Sequence, residues 1–141
     1  MTTDALPHYP SPGQPWTVDD LKQLPDDGMW YELVDGSLLV SPMPAIPHVR
    51  AVNRLRRLMD KQAPAGLEVI QDTGIAIGGR TTYLAPDVCV VRESALKGTG
   101  DDVNPADVRL VVEVLSPSNR GRDLVLKHHY YAAGGIAVLD R

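Results

Sequence analysis

Two acidic residues each interrupt an apolar, β-prone run: Asp87 in Leu84-Ala-Pro-Asp-Val-Cys-Val-Val91, and Glu113 in Leu110-Val-Val-Glu-Val-Leu115. A carboxylate at the centre of a buried strand is costly unless a cation or a metal compensates it. Lys127 follows Glu113 by fourteen residues, on a predicted helix opened by the polar stretch Ser116-Pro-Ser-Asn-Arg-Gly-Arg-Asp123. Mg²⁺ takes oxygen ligands and keeps several waters, so one or two protein carboxylates beside a substrate phosphate suffice to hold it. Asp87 and Glu113 on adjacent strands, with the main-chain carbonyl of Val114 as a third ligand, could supply that set for Mg²⁺ or Mn²⁺. The cation would acidify a water and stabilise charge on phosphate oxygens. Lys127 would orient that water or neutralise the phosphate. Such a constellation points to a metal-dependent nuclease.

Each residue also has a plainer reading. Asp87 follows Pro86 and suits the turn at a strand end, and Lys127 could pair with Asp123 at i,i+4 on an exposed helix face. For Glu113, flanked by valine on both sides, a structural explanation is harder to find.

The elements that must position these residues follow from periodicity and turn chemistry. Residues 1–16 contain four prolines and few apolar side chains, and read as a flexible leader to a domain spanning 17–141. Thr17 and Asp20 form a capping-box pattern with Asp in place of Glu, starting a short helix that Pro25 terminates. Trp30-Tyr-Glu-Leu-Val34 and Ser37-Leu-Leu-Val40 flank Asp35-Gly36, a dipeptide suited to a type I′ hairpin turn that needs no functional explanation. From Pro47 to about Ala63, the apolar residues Val49, Val52, Leu55 and Met59 recur at helical spacing. Strands are expected at 67–71, 74–77, 84–91 and 110–115, with 97–107 as a loop. A helix over about 122–133, closed by Gly134-Gly135, and a last strand at 136–139 complete an α/β or α+β fold around one sheet.

Composition sets the outer limits. At 141 residues the chain is one domain, with 43% apolar residues but no Phe, so Leu, Val, Ile and Ala must fill its core. No apolar stretch approaches the roughly 20 residues that span a membrane, and the N-terminus lacks secretory-signal order, which makes a cytoplasmic location the expectation. The single cysteine, Cys89, lies in a valine-rich strand and reads as a small core residue. Net charge is −4, but nucleic-acid binding depends on local patches rather than overall sign. Arg50, Arg54, Arg57 and Lys61 lie off the apolar stripe of their helix, and Arg120 and Arg122 cluster near the second carboxylate. These are candidate DNA contacts, set against the simpler reading of a solvated helix face. His48 could contact a phosphate from the first turn of the basic helix, and Gln71 could face the site from its strand. Both also suit plain surface or packing roles. His128 and His129 are adjacent on a helix, so they point apart and cannot share one metal.

Pro86-Asp87, Val111-Val-Glu-Val-Leu-Ser-Pro-Ser118, and Arg122-Asp-Leu-Val-Leu-Lys127 with Tyr130-Tyr-Ala-Ala-Gly134 resemble the core of the Uma-type family. This bacterial group is described as candidate restriction endonucleases within the PD-(D/E)XK nuclease superfamily. Tyr31-Glu-Leu-Val-Asp-Gly36, Ser41-Pro-Met-Pro44 and His48 add to the resemblance, which covers roughly residues 17–136. It implies a restriction-endonuclease-like central mixed sheet flanked by helices. Asp87 matches the motif aspartate and Glu113 the (D/E) position. Leu115 stands where the superfamily lysine usually falls, and the resemblance implies that Lys127 on the following helix replaces it. Glu32 matches an upstream acidic position that assists the metal in the superfamily. Members usually continue past the Gly-Ile into further strands. The sheet is therefore expected to be shortened at its C-terminal side, with an exposed edge that a second subunit of a homodimer would cover. The function expected is Mg²⁺- or Mn²⁺-dependent endonucleolytic hydrolysis of DNA. The alternatives are a catalytically inactive DNA-binding or assembly module on the same fold, and a metal-dependent enzyme acting on another phosphate ester.

Overall fold

A computed structural model describes residues 9–98, 100–117 and 122–140. The order is α1 (Val18–Leu21), β1 (Trp30–Val34), β2 (Ser37–Ser41), α2 (Ile46–Gln62), β3 (Leu67–Ile70), β4 (Gly74–Ile77), β5 (Thr82–Leu84), β6 (Val88–Arg92), β7 (Asp102–Val103), β8 (Val108–Glu113), α3 (Arg122–Ala133) and β9 (Ala137–Asp140). Short 3-10 turns cover Glu93–Lys97 and Pro105–Asp107. The class is α+β, as expected. The single central sheet expected is instead two: hydrogen bonding divides the strands into two mixed sheets, ordered β2-β1-β5-β4-β7 and β3-β6-β8-β9. Each sheet owes its mixed character to one parallel pair, β4 with β7 and β8 with β9.

Local chemistry explains the best-read elements. Thr17 and Asp20 form the capping box, with the Thr17 amide donating to Asp20 Oδ2 at 2.8 Å and the Asp20 amide to Thr17 Oγ1 at 3.3 Å. The helix it opens is a single turn that ends at Leu21, short of Pro25. Asp35 and Gly36 both take positive φ, 45° and 77°, as a type I′ turn requires. The leader's described part is tied down at its end, where the Trp16 amide donates to Gly36 O at 2.8 Å. Residues 1–8 of that leader lie outside the described residues.

Three further expectations need correction. The run 84–91 is not one strand. It splits into β5 and β6 around Ala85-Pro86-Asp87, because Pro86 has no N–H to give a ladder. Asp87 therefore precedes β6 instead of sitting mid-strand. Glu113 likewise is the last residue of β8, which runs from Val108 rather than from 110. The segment 97–107 is not all loop, since Asp102–Val103 pairs in parallel with β4 through Gly74↔Asp102 and Ile75↔Val103.

Two layers of core hold the four-stranded sheet. On one face Val69, Val88, Val90 and Val112 pack with Val52 of α2, while Leu55 and Met59 contribute part of their surface. Val49 is exposed, and the inward row of α2 is His48, Val52, Leu55 and Met59. Cys89, Val91 and Val111 face the other way, against Tyr131 of α3 and Ile75, Ile77 and Leu84 of the five-stranded sheet. Cys89 is a buried core residue whose burial pushes its thiol up to about 12. Among the described residues no helix is long and apolar enough to cross a membrane.

Candidate active site

The pairing of β6 with β8 brings the two motif carboxylates together. Val88 pairs with Val112, so Asp87 and Glu113 occupy the next positions on neighbouring chains, at one end of the ladder. The Val114 amide, just past β8, donates to Asp87 Oδ2 at 2.7 Å. His48, from the first turn of α2, places Nε2 3.0 Å from Asp87 Oδ1. Asp87 is thus held by a strand amide on one oxygen and by a helix histidine on the other.

Glu113 is held from α3. Its side chain is 4% exposed. Lys127 Nζ lies 3.4 Å from its Oε1, and the Tyr131 hydroxyl donates to the same oxygen at 2.9 Å. Glu32 of β1 joins from the other sheet. Its Oε1 accepts from the Ala85 amide at 2.8 Å and lies 3.0 Å from Lys127 Nζ. The break between β5 and β6 that displaces Asp87 from its strand therefore also frees an amide to hold Glu32.

The electrostatics reflect a buried cluster short of positive charge. Burial raises Glu113 to about 7; the Lys127 ammonium opposes the rise, and the charges of Asp87 and Glu32 add to it. For Lys127, burial favours the neutral amine, but Glu32 and Glu113 together outweigh it and the net shift is upward. Lys127 is therefore an ammonium at neutral pH. Tyr131 is raised well above its ordinary value, first by burial and then by Glu113 and Glu32.

The donor set fits a hard divalent cation: carboxylate oxygens gather at one site, and burial, with the charges of Asp87 and Glu32 added, raises the Glu113 carboxyl, which a further positive charge would relieve. Among the described residues no three His, Cys, Asp or Glu side chains are grouped to hold a metal by themselves. What the site offers is two protein carboxylates, the smaller set with which Mg²⁺ can be held when water and a substrate phosphate complete its shell.

Other predicted residues fall elsewhere. Gln71 lies just past β3, and its buried Oε1 has no hydrogen-bond partner among the described residues. Arg50, Arg54, Arg57 and Lys61 are exposed on α2. At about 100° per residue they form a row on the side of the helix opposite His48, and so face away from the cluster. Arg120 lies outside the described residues, and Arg122 opens α3 with only its backbone described. Asp35 does more than form its turn, because the Tyr130 hydroxyl donates to its Oδ2 and ties α3 to the β1–β2 hairpin.

Two contacts went unread in the sequence: that of His48, expected near a phosphate, with Asp87, and that of Tyr131 with Glu113. His48 continues the buried row of Val52, Leu55 and Met59 backwards at i−4, which marks it as inward-facing. Tyr131 stands four residues after Lys127, on the same helix face.

This α+β domain gathers three carboxylates and a lysine from β1, the β5–β6 turn, β8 and α3. Residues 18–139 match the model of the Uma2 family, described as "Putative restriction endonuclease", and the chain belongs to that family. Its fold is similar to that of a crystal structure from Anabaena variabilis, described as "a putative nuclease belonging to DUF820". The TM-score is 0.63 at 15% identity, covering 89% of this chain and 74% of that one. No curated protein matches the chain.

Proposed function

We propose that this protein is a metal-dependent endonuclease that hydrolyses phosphodiester bonds in DNA, in the cytoplasm, with Mg²⁺ or Mn²⁺. The observation that carries the reading is the convergence of Glu32 and Glu113 on the largely buried Lys127, with Asp87 near enough to add its charge. Asp87 and Glu113, with the Val114 carbonyl, would hold the cation. When bound, it supplies charge neutralisation at the phosphate and acidifies a water. Lys127 keeps its proton and places a positive charge where negative charge grows on the phosphate, in a setting where burial strengthens it. Glu32, itself held by the Ala85 amide, holds Lys127 in that position, and His48 with the Val114 amide orients Asp87. Arg50 and Arg54, with Arg57 and Lys61 further along α2 and Arg120 and Arg122 before and at the start of α3, would hold the DNA backbone. A homodimer would present two such sites to a duplex.

One observation favours the silent alternative. Both Asp87 oxygens are engaged within the protein and Lys127 pairs with both Glu32 and Glu113, so each carboxylate of the cluster already has a protein partner. A supercoiled-plasmid assay with Mg²⁺, Mn²⁺ or EDTA separates the readings. Nicked or linear product in either metal, abolished by EDTA, is the expected result. An intact plasmid in both metals, with retention of DNA binding, would favour the inactive module.

A further inference from the structure

Tyr131 is the largest fully buried side chain of the described residues, and its ring is fixed in the core between the sheets. A buried phenol needs a partner for its hydroxyl, and this one donates at 2.9 Å to Glu113 Oε1. Lys127, four residues earlier on the same face of α3, reaches that same oxygen at 3.4 Å. One helix thus grips one oxygen of one carboxylate with two donors a turn apart. The neighbouring Tyr130 pins α3 to Asp35 in the turn that follows β1, the strand carrying Glu32. Consecutive tyrosines therefore tie α3 to both walls of the site.

We propose that Tyr131 is a positioning residue for the metal: it sets the orientation of the Glu113 carboxylate so that a divalent cation meets a ligand already in place. This rests on the metal-dependent reading above. A phenylalanine would fill the same space in the core, so the hydroxyl alone carries the effect. Outer-shell hydrogen bonds of this kind typically govern about 10–100-fold in metal affinity.

The test is Mn²⁺ binding by the full chain, followed by electron paramagnetic resonance or calorimetry, for wild type, Tyr131→Phe and Asp87→Asn. Expected are a site in wild type that Asp87→Asn removes, and a site in Tyr131→Phe weakened by about 10–100-fold with a cooperative melt like that of wild type. Wild-type affinity in Tyr131→Phe overturns the assignment while leaving the metal site intact. Absence of any site sensitive to Asp87 overturns the metal-dependent reading itself, and this inference with it. Should Tyr131→Phe fail to melt cooperatively, 3,5-difluorotyrosine at position 131 keeps the ring and the hydroxyl and makes that hydroxyl a stronger donor. Mn²⁺ affinity that moves with the donor supports the assignment, and affinity identical to wild type overturns it.

Discussion

Two lysines in this molecule each sit between two carboxylates, at nearly the same distances and with very different surroundings. Lys127 lies 3.0 Å from Glu32 and 3.4 Å from Glu113, with side chains 15%, 11% and 4% exposed. Lys22 lies 3.1 Å from Asp102 and 3.7 Å from Asp101, and although Asp102 is 17% exposed, the side chains of Lys22 and Asp101 are open to water at 38% and 81%. Water screens the second group, so its ion pairs contribute at most about 1 kcal/mol to stability. In the first, burial is the largest influence on both Glu113 and Lys127. Contact geometry alone does not distinguish a candidate catalytic cluster from a surface ion pair. Desolvation does, because only the buried group holds charge that a substrate or a cation can relieve.

The sharpest way to break this comparison is to remove the proposed ligands. Asp87→Asn and Glu113→Gln should each abolish plasmid cleavage, whereas Asp101→Asn should leave it at the wild-type rate.

The same burial predicts a stability effect of opposite sign. Glu113 holds its proton to about 7 in the folded protein, against an ordinary value of 4.5. Between those two pH values the folded state binds a proton that the unfolded state has lost. Stability from this group is thus present at low pH and is lost as pH rises through that window. Glu113→Gln should match wild type near pH 4.5 and, without metal, be more stable at pH 8 by up to about 3 kcal/mol, at 1.36 kcal/mol per pKa unit. Denaturant melts at the two pH values check it.

The basic row of α2 offers a graded test. Replacing Arg50 and Arg54 should flatten the salt dependence of DNA affinity, each phosphate contact removed lowering the log–log slope by about 0.9. Arg57 and Lys61 lie further from the cluster, and their replacement should change the slope less. The smallest effect belongs to the exposed group: Lys22→Met should change stability by less than about 1 kcal/mol and cleavage not at all.

Much of this was legible before any fold was known, where the signal was local. Asp35-Gly36 specified its turn through backbone conformation, and the spacing of Val52, Leu55 and Met59 specified α2. Asp87 and Glu113 stood out because charge in an apolar run has few explanations. What local pattern could not encode was long-range pairing. The two-residue β7 exists only through β4, which lies some thirty residues earlier. The strand break at Pro86 was available from the missing N–H of proline, but the valines that follow masked it. His48 was readable as an inward residue by its register, whereas its partner Asp87 was not. The Tyr131–Glu113 bond depends on how α3 packs against β8, which helix periodicity does not fix.

The central claim is that burial makes Lys127 part of a reaction centre, and the plasmid cleavage rate of Lys127→Met in Mg²⁺ tests it most directly. The expected result is a fall of roughly 10²–10³-fold, the usual cost of losing a preorganised charge at a transition state, with a cooperative melt retained. Cleavage by Lys127→Met at the wild-type rate would contradict it.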